Sequence, residues 1–227
     1  SQPVSSLHPG LSALVIEQCL HFVTDHGVDT RRLFSETGFQ ESWLKRPEAW
    51  LSLAECEPLL RRAIELSNDP LVGLHAAHHL TLTSFGIVGL VVQTSSTLLE
   101  LIESSQRYER LISDIGSTQL SHEPGQSFWR WDCSATDPLL TRHATECILA
   151  GWVERMSLIR LQPRQRLLAV RFQHALPDPA LLPHYEAAFG CPVLFNQSAS
   201  GLVIPSALLA EPLSLADAVL HQTLSHH

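Results

Sequence analysis

The spacing of apolar residues in this chain changes near residue 116, and that change limits the architectures open to it. Beyond it, Trp129, Trp131 and Cys133 alternate with Arg130 and Asp132, the two-residue period of a strand with one buried face. Thr118 to His122 and Ser127 to Cys133 flank Glu123-Pro124-Gly125-Gln126, a turn signal, so a hairpin is predicted there. Ahead of the change the period is helical. Thr97-Leu98-Leu99-Glu100 fits a capping box, in which threonine and glutamate each satisfy an open backbone donor of the first turn. Leu98, Leu101, Ile102, Ser105, Tyr108, Ile112 and Ile115 follow at three- and four-residue steps and form one stripe, with Glu103 and Arg107 spaced for an ion pair outside it.

Further helices are expected upstream. Pro9 opens a first one that carries Leu11, Leu14, Val15, Leu20, Phe22 and Val23 and stops at Gly27; Thr30 to Thr37 makes a short second, ended by Gly38. Ser52 and Glu55 offer another capping box, with Pro58 expected to delay the start of the helix behind it. Pro70 opens the next helix, running through His79. Gly86 and Gly89 lie in a run that is apolar on nearly every side, read as a short buried helix. The eight residues of Phe85 to Val92 fall far short of the roughly 20 that a membrane span needs.

After the hairpin come a long helix from Pro138 to about Leu161, a strand with Leu168, Val170 and Phe172, and a helix over Pro183 to Phe189. Val193 to Phe195 and Leu202 to Ile204 read as two strands joined by the Asn196 to Gly201 turn, and Ser214 to Leu224 as a last helix. The fold class is therefore α+β in a single domain, 1–227: a mostly helical subregion, 1–115, packed on an antiparallel or mixed sheet of about five strands with a long central helix, 116–227.

A net charge of −8, with basic residues scattered in pairs, argues against this polypeptide holding nucleic acid by itself. The five cysteines form no CxxC pair and suit free thiols in a reducing compartment, so a cytoplasmic location is expected. The sequence carries no GxSxG elbow, Walker loop, GxGxxG fingerprint or paired-cysteine metal site, so neither catalysis nor a cofactor is expected.

The candidate ligand-binding residues are Trp129, Trp131, Arg142, Glu146, Trp152 and His75. The two strand tryptophans share a face and can either stack on a ligand or fill a core. In the long helix Leu139, Leu140, Ile148, Leu149, Trp152, Val153, Met156 and Leu158 cover much of the circumference, so charged groups among them are enclosed. Arg142 and Glu146, one turn apart, form an internal ion pair or meet an anionic ligand, for which the planar guanidinium is suited. His75 and His79 are also one turn apart, but no third ligand is marked by spacing; no metal site is assigned, and a histidine group at the helix end is the expectation.

A series of short motifs adds a resemblance: Gly27-Val28-Asp29, Gly38-Phe39, Asn68-Asp69-Pro70 with Gly73-Leu74, Phe85-Gly86 with Gly89-Leu90, Thr97-Leu98 and Arg107-Tyr108. Phe172 with His174 and Pro177, Tyr185, Phe189-Gly190, Pro192-Val193 with Phe195, Pro212-Leu213 and Ala216-Asp217 continue it. In this order they resemble the arabinose-binding-type regulatory domain at the amino terminus of many AraC-family transcription regulators. The resemblance implies an effector-sensing, homodimerising domain that controls a C-terminal helix-turn-helix DNA-binding domain, absent here, through a small metabolite. It does not import the cupin barrel of the founding sugar-responsive member, because the order of elements departs from it. A stand-alone small-molecule or metal carrier and a purely structural dimerisation module are the alternatives.

Overall fold

Ser12 and Ser52 begin the two helices that frame the amino-terminal half, and both do so from the end of a strand. The computed structural model describes residues 9–80, 96–159 and 166–212, with the side chains of 105, 107–112 and 158–159 left aside. Ser12 closes β1 (Gly10–Ser12) and accepts from the Val15 amide, which caps α1 (Ala13–Asp25). Ser52 closes β2 (Trp50–Ser52) and caps α3 (Leu53–Ser67) with the full reciprocal box to Glu55. Between them α2 (Thr30–Thr37) is capped by Asp29 and ended by left-handed Gly38 at φ 71°. A further helix, α4 (72–80), follows Asp69, whose carboxylate accepts from the Leu71 amide.

Two expectations for this half are corrected. The first helix starts at Ala13, because residues 10–12 are spent on a strand. Pro58 does not delay α3, which starts directly behind its cap; one missing amide in the second turn costs less than the cap and the buried Cys56, Leu59 and Ala63 return. The strands themselves form an antiparallel sheet in the order β2-β1-β3, with β3 at Ser113–Asp114. Leu11 and Leu51 pair across it and are buried, and a Cβ on Gly10 would fall 2.1 Å from the Leu51 carbonyl oxygen.

α5 (Leu98–Ile112) buries Leu98, Leu101 and Ile102 as its stripe requires. Its cap is shared out differently from the expected box: Thr97 Oγ1 accepts from the Glu100 amide, while Glu100 reaches back to Ser96. β4 (Gly116–Glu123) and β5 (Gln126–Cys133) form the predicted hairpin, turning at Gly125 with φ 80°. α6 (Pro138–Ile159), β6 (Ala169–Arg171), α7 (Leu182–Phe189), β7 (Val193–Leu194), β8 (Gly201–Pro205) and a short α8 (Ser206–Leu209) complete the described chain. The main sheet runs β4-β5-β8-β6-β7, antiparallel except for the parallel β6/β7 pair. β7 and β8 are therefore not a hairpin: β6 lies between them, because Val170 pairs with both Val193 and Leu202.

Among the described residues the architecture is α+β with a five-stranded mixed sheet, a second three-stranded sheet and no closed barrel. α6 packs on β5, α3 and α7, which is why apolar residues cover its circumference; Leu140, Leu149, Ala150, Trp152 and Met156 are all buried. The predicted helices at Phe85 to Val92 and Ser214 to Leu224, and the Glu103–Arg107 pair, lie outside the described residues.

Candidate functional site

Arg142 and Glu146 stand one turn apart on α6, on a side enclosed by α4 and α7. Glu146 is fully buried, and Arg142 Nη1 donates to it at 3.1 Å. The Tyr185 hydroxyl, from α7, lies 2.8 and 2.6 Å from the two carboxylate oxygens. Desolvation, then the Glu146 charge it faces, pushes the Tyr185 phenol far up, so it stays protonated and donates. His174, behind β6, comes within 3.6 Å of Glu146 Oε2, and Arg142 also donates to the Pro70 carbonyl oxygen at 3.1 Å. Phe172, Phe195 and Tyr185 contact one another and wall this cluster with aromatic rings.

His143, the next residue on α6, carries an internal conflict. Its Nδ1 accepts from the Gly73 amide at 3.1 Å, while its Nε2 lies 2.8 Å from Arg142 Nη2. Neither an amide N–H nor a guanidinium accepts, and a neutral imidazole has one acceptor nitrogen. Whichever tautomer is present, one ring N–H faces another donor. The approach is fixed by backbone: a Cβ on Gly73 would lie 2.3 Å from the His143 carbonyl oxygen, so only glycine lets α4 come this close.

Burial, and next the Arg142 cation, press the His143 pKa down to about 4 from 6.5. A histidine neutral in the fold but protonated in the unfolded chain below its ordinary pKa gives stability that is complete above pH 6.5 and lost as pH falls toward 4. The expected loss over that window is about 2–3 kcal/mol. Urea unfolding at a series of pH values checks it, with His143→Gln, which keeps an acceptor for Gly73, expected to flatten the profile there.

The tryptophans form a second group. Trp129 of β5 stacks on Trp152 of α6, with ring centroids 3.6 Å apart and planes 3° from parallel. Both indole N–H groups are buried without an acceptor among the described residues. Trp131 lies two residues on; Gly116 of the paired strand fits beneath its ring, where a Cβ would come within 2.4 Å. The structure therefore brings Arg142 and Glu146 together, joins Trp129 to Trp152, and buries Trp131 against its own hairpin. His75 falls outside the Glu146 network and pairs with Asp69. His79, one turn further along α4, stacks on His21 at 5.5 Å.

Sequence reading missed Tyr185 and His174 as partners of Glu146, and His143 as the neighbour of Arg142 and the Gly73 amide. Tyr185 and His174 stood in the motif series, but neither has a spacing that announces contact with α6, and the approach of Gly73 to His143 has none either. Burial holds the Cys56 and Cys147 thiols up at about 12, so neither supplies a thiolate nucleophile at neutral pH. No helix among the described residues is long and apolar enough to cross a membrane.

The chain is 26% identical over 216 residues to the ornithine utilization regulator of Pseudomonas aeruginosa, covering 95% of this chain and 63% of that protein. The crystal structure of the transcriptional regulator CdpR from Pseudomonas aeruginosa shares the fold, with a TM-score of 0.61 at 15% identity over 91% of this chain and 62% of that one. The chain thus spans less than two thirds of the length of either relative. Residues 27–213 match the family described as the arabinose-binding domain of AraC transcription regulators, N-terminal, and the chain belongs to that family.

Proposed function

We propose that this domain senses a small amino-acid-like effector in the cytoplasm and dimerises, so as to control a helix-turn-helix DNA-binding domain of a longer regulator, with no catalysis of its own. The observation that carries the reading is the polar cluster where α6 meets α4 and α7, with His143 and Glu146 buried and Arg142 mostly so. Arg142 and His143 present two donors to one another, and a ligand carboxylate would give both an acceptor. Glu146 would receive a ligand ammonium in place of part of its present partnership. The name of the ornithine utilization regulator supports the same chemical class. Ligand binding acts by population shift, so the effector must bind the two forms of the full regulator unequally.

A thermal-shift screen of basic and neutral amino acids, their amides and small dicarboxylates tests this. A true effector at 100 times its dissociation constant adds about 2.7 kcal/mol, which for a domain of this size is about 5–10 °C. Arg142→Lys should lose most of that shift and the amides should give none. A shift that survives Arg142→Lys would remove the assigned site.

One observation favours a second reading. Tyr185 and Arg142 already satisfy Glu146 from within, which suits a structural module whose interior is filled by its own side chains. Silence across the whole screen would favour that module.

A further inference from the structure

Away from the buried cluster, the end of α1 meets the start of α4 at a histidine-rich corner. We propose that His26, Asp69 and His75 there bind one divalent transition-metal ion, of which zinc is the physiological representative. His26 is the C-terminal cap of α1, Asp69 precedes α4, and His75 lies in its first turns. His26 Nε2 lies 2.9 Å and His75 Nδ1 2.5 Å from the same Asp69 oxygen, Oδ2, and the three ligand atoms all fall within 4.8 Å of one another. No other group of three such residues with this geometry occurs among the described residues.

The chemistry of the donors selects the ion. Two imidazoles and one carboxylate suit zinc and its neighbours, whereas calcium and magnesium ask for oxygen alone. Ligand atoms around a tetrahedral zinc with bonds of about 2.0–2.1 Å stand about 3.3 Å apart, so side-chain adjustments of under about 1 Å seat the ion. The support around the ligands is already in place. Asp69 Oδ1 accepts from the Leu71 amide at 2.8 Å, which orients the carboxylate and leaves Oδ2 for the ion. The His26 ring stacks on Phe22 at 5.1 Å. Side-chain exposures of 33% for His26, 14% for Asp69 and 49% for His75 leave the corner open to solvent, so an ion can enter and a water can take the fourth position. Sequence spacing could not show this site, because His26 and Asp69 are 43 residues apart and meet only through the packing of α1 beside α4.

Such an ion would join two helices of the amino-terminal half at the loop that also braces the buried cluster, since Pro70, next to Asp69, accepts from Arg142. The test is direct titration of the tag-free chain, carrying His226→Ala and His227→Ala to remove the terminal histidines, with zinc, and with cobalt(II) and copper(II) as spectroscopic probes. One equivalent of zinc is expected, with cobalt bands of tetrahedral or five-coordinate type and a copper EPR pattern of two nitrogens. His26→Gln, His75→Gln and Asp69→Asn should each weaken binding at least about tenfold, since loss of a supporting group alone costs about 10–100-fold. His78→Ala, whose ring pairs with Glu154, should leave it unchanged. The glutamines keep a donor for Asp69, and the copper spectrum reports the ligands without any substitution. No saturable uptake at equimolar zinc, a copper pattern without two nitrogens, or binding that survives all three ligand substitutions would overturn the proposal.

Discussion

Trp152→Ala is expected to cost about 3–5 kcal/mol, the range for deleting a large aromatic from a packed interior. Trp152 is 1% exposed and lies face to face with Trp129, so its removal opens a void between α6 and the main sheet and strips one side of the Trp129 ring. A domain has about 5–15 kcal/mol in total, and each kcal/mol is worth about 2–4 °C at this size. The melting temperature should fall by about 6–20 °C. Trp152→Phe separates packing from polarity: it keeps most of the ring contact and removes an indole N–H that has no acceptor among the described residues, so it should cost less than about 1.5 kcal/mol. Near-UV circular dichroism gives an independent readout, because two indoles stacked this closely couple, and both variants should lose that signal. If Trp152→Ala melts with the parent chain, the stack is not what joins α6 to the sheet.

How much of this was legible beforehand depended on the length of each signal. Caps and turns are local, and Ser52/Glu55, Gly38 and the hairpin at Gly125 appeared where their residues put them. α6 was legible as an enclosed helix because twenty-odd residues of nearly all-round apolarity admit few other readings, and the Arg142–Glu146 pair followed from the same pattern. β1, β2 and β3 were not, since two or three residues cannot display a period; they exist through backbone pairing between segments some 40 to 100 positions apart. The order of β6, β7 and β8 was hidden for a related reason. Val193 and Leu202 are close in sequence, but Val170 offers each a partner, and the chain reaches β7 from β6 by way of α7, the crossover that a parallel pair requires.

The same distinction applies to the site. An i, i+4 pair is written in the sequence, whereas the approach of Tyr185, His174 and the Gly73 amide depends on how α7, the segment behind β6, and α4 settle on α6. The one local clue was Gly73, a glycine inside a helix, which is costly unless something comes close. Here the His143 backbone does.

Glu146 is where structural and sensing roles can be told apart. Glu146→Ala leaves a mostly buried guanidinium without its counter-ion, with the Pro70 carbonyl oxygen still accepting from it, and a fully buried phenol without its carboxylate; breaking a buried pair on one side costs about 3–5 kcal/mol. Glu146→Gln retains a carbonyl oxygen for Tyr185 and should cost about 1–2 kcal/mol. Replacing the whole group, with Arg142→Met, Glu146→Leu and Tyr185→Phe together, removes the desolvated charges as well as their partners and should return stability to within about 2 kcal/mol of the parent. Urea unfolding of the three variants measures this order. That triple variant is the informative protein, because it is expected to fold yet lacks both charged groups, Arg142 and Glu146, proposed to meet an effector, while His143 stays in place. Loss of the effector-induced thermal shift in it then speaks to recognition rather than to collapse of the fold. Retention of the shift would mean that the buried pair only fastens α6 to α7 and that the effector binds elsewhere.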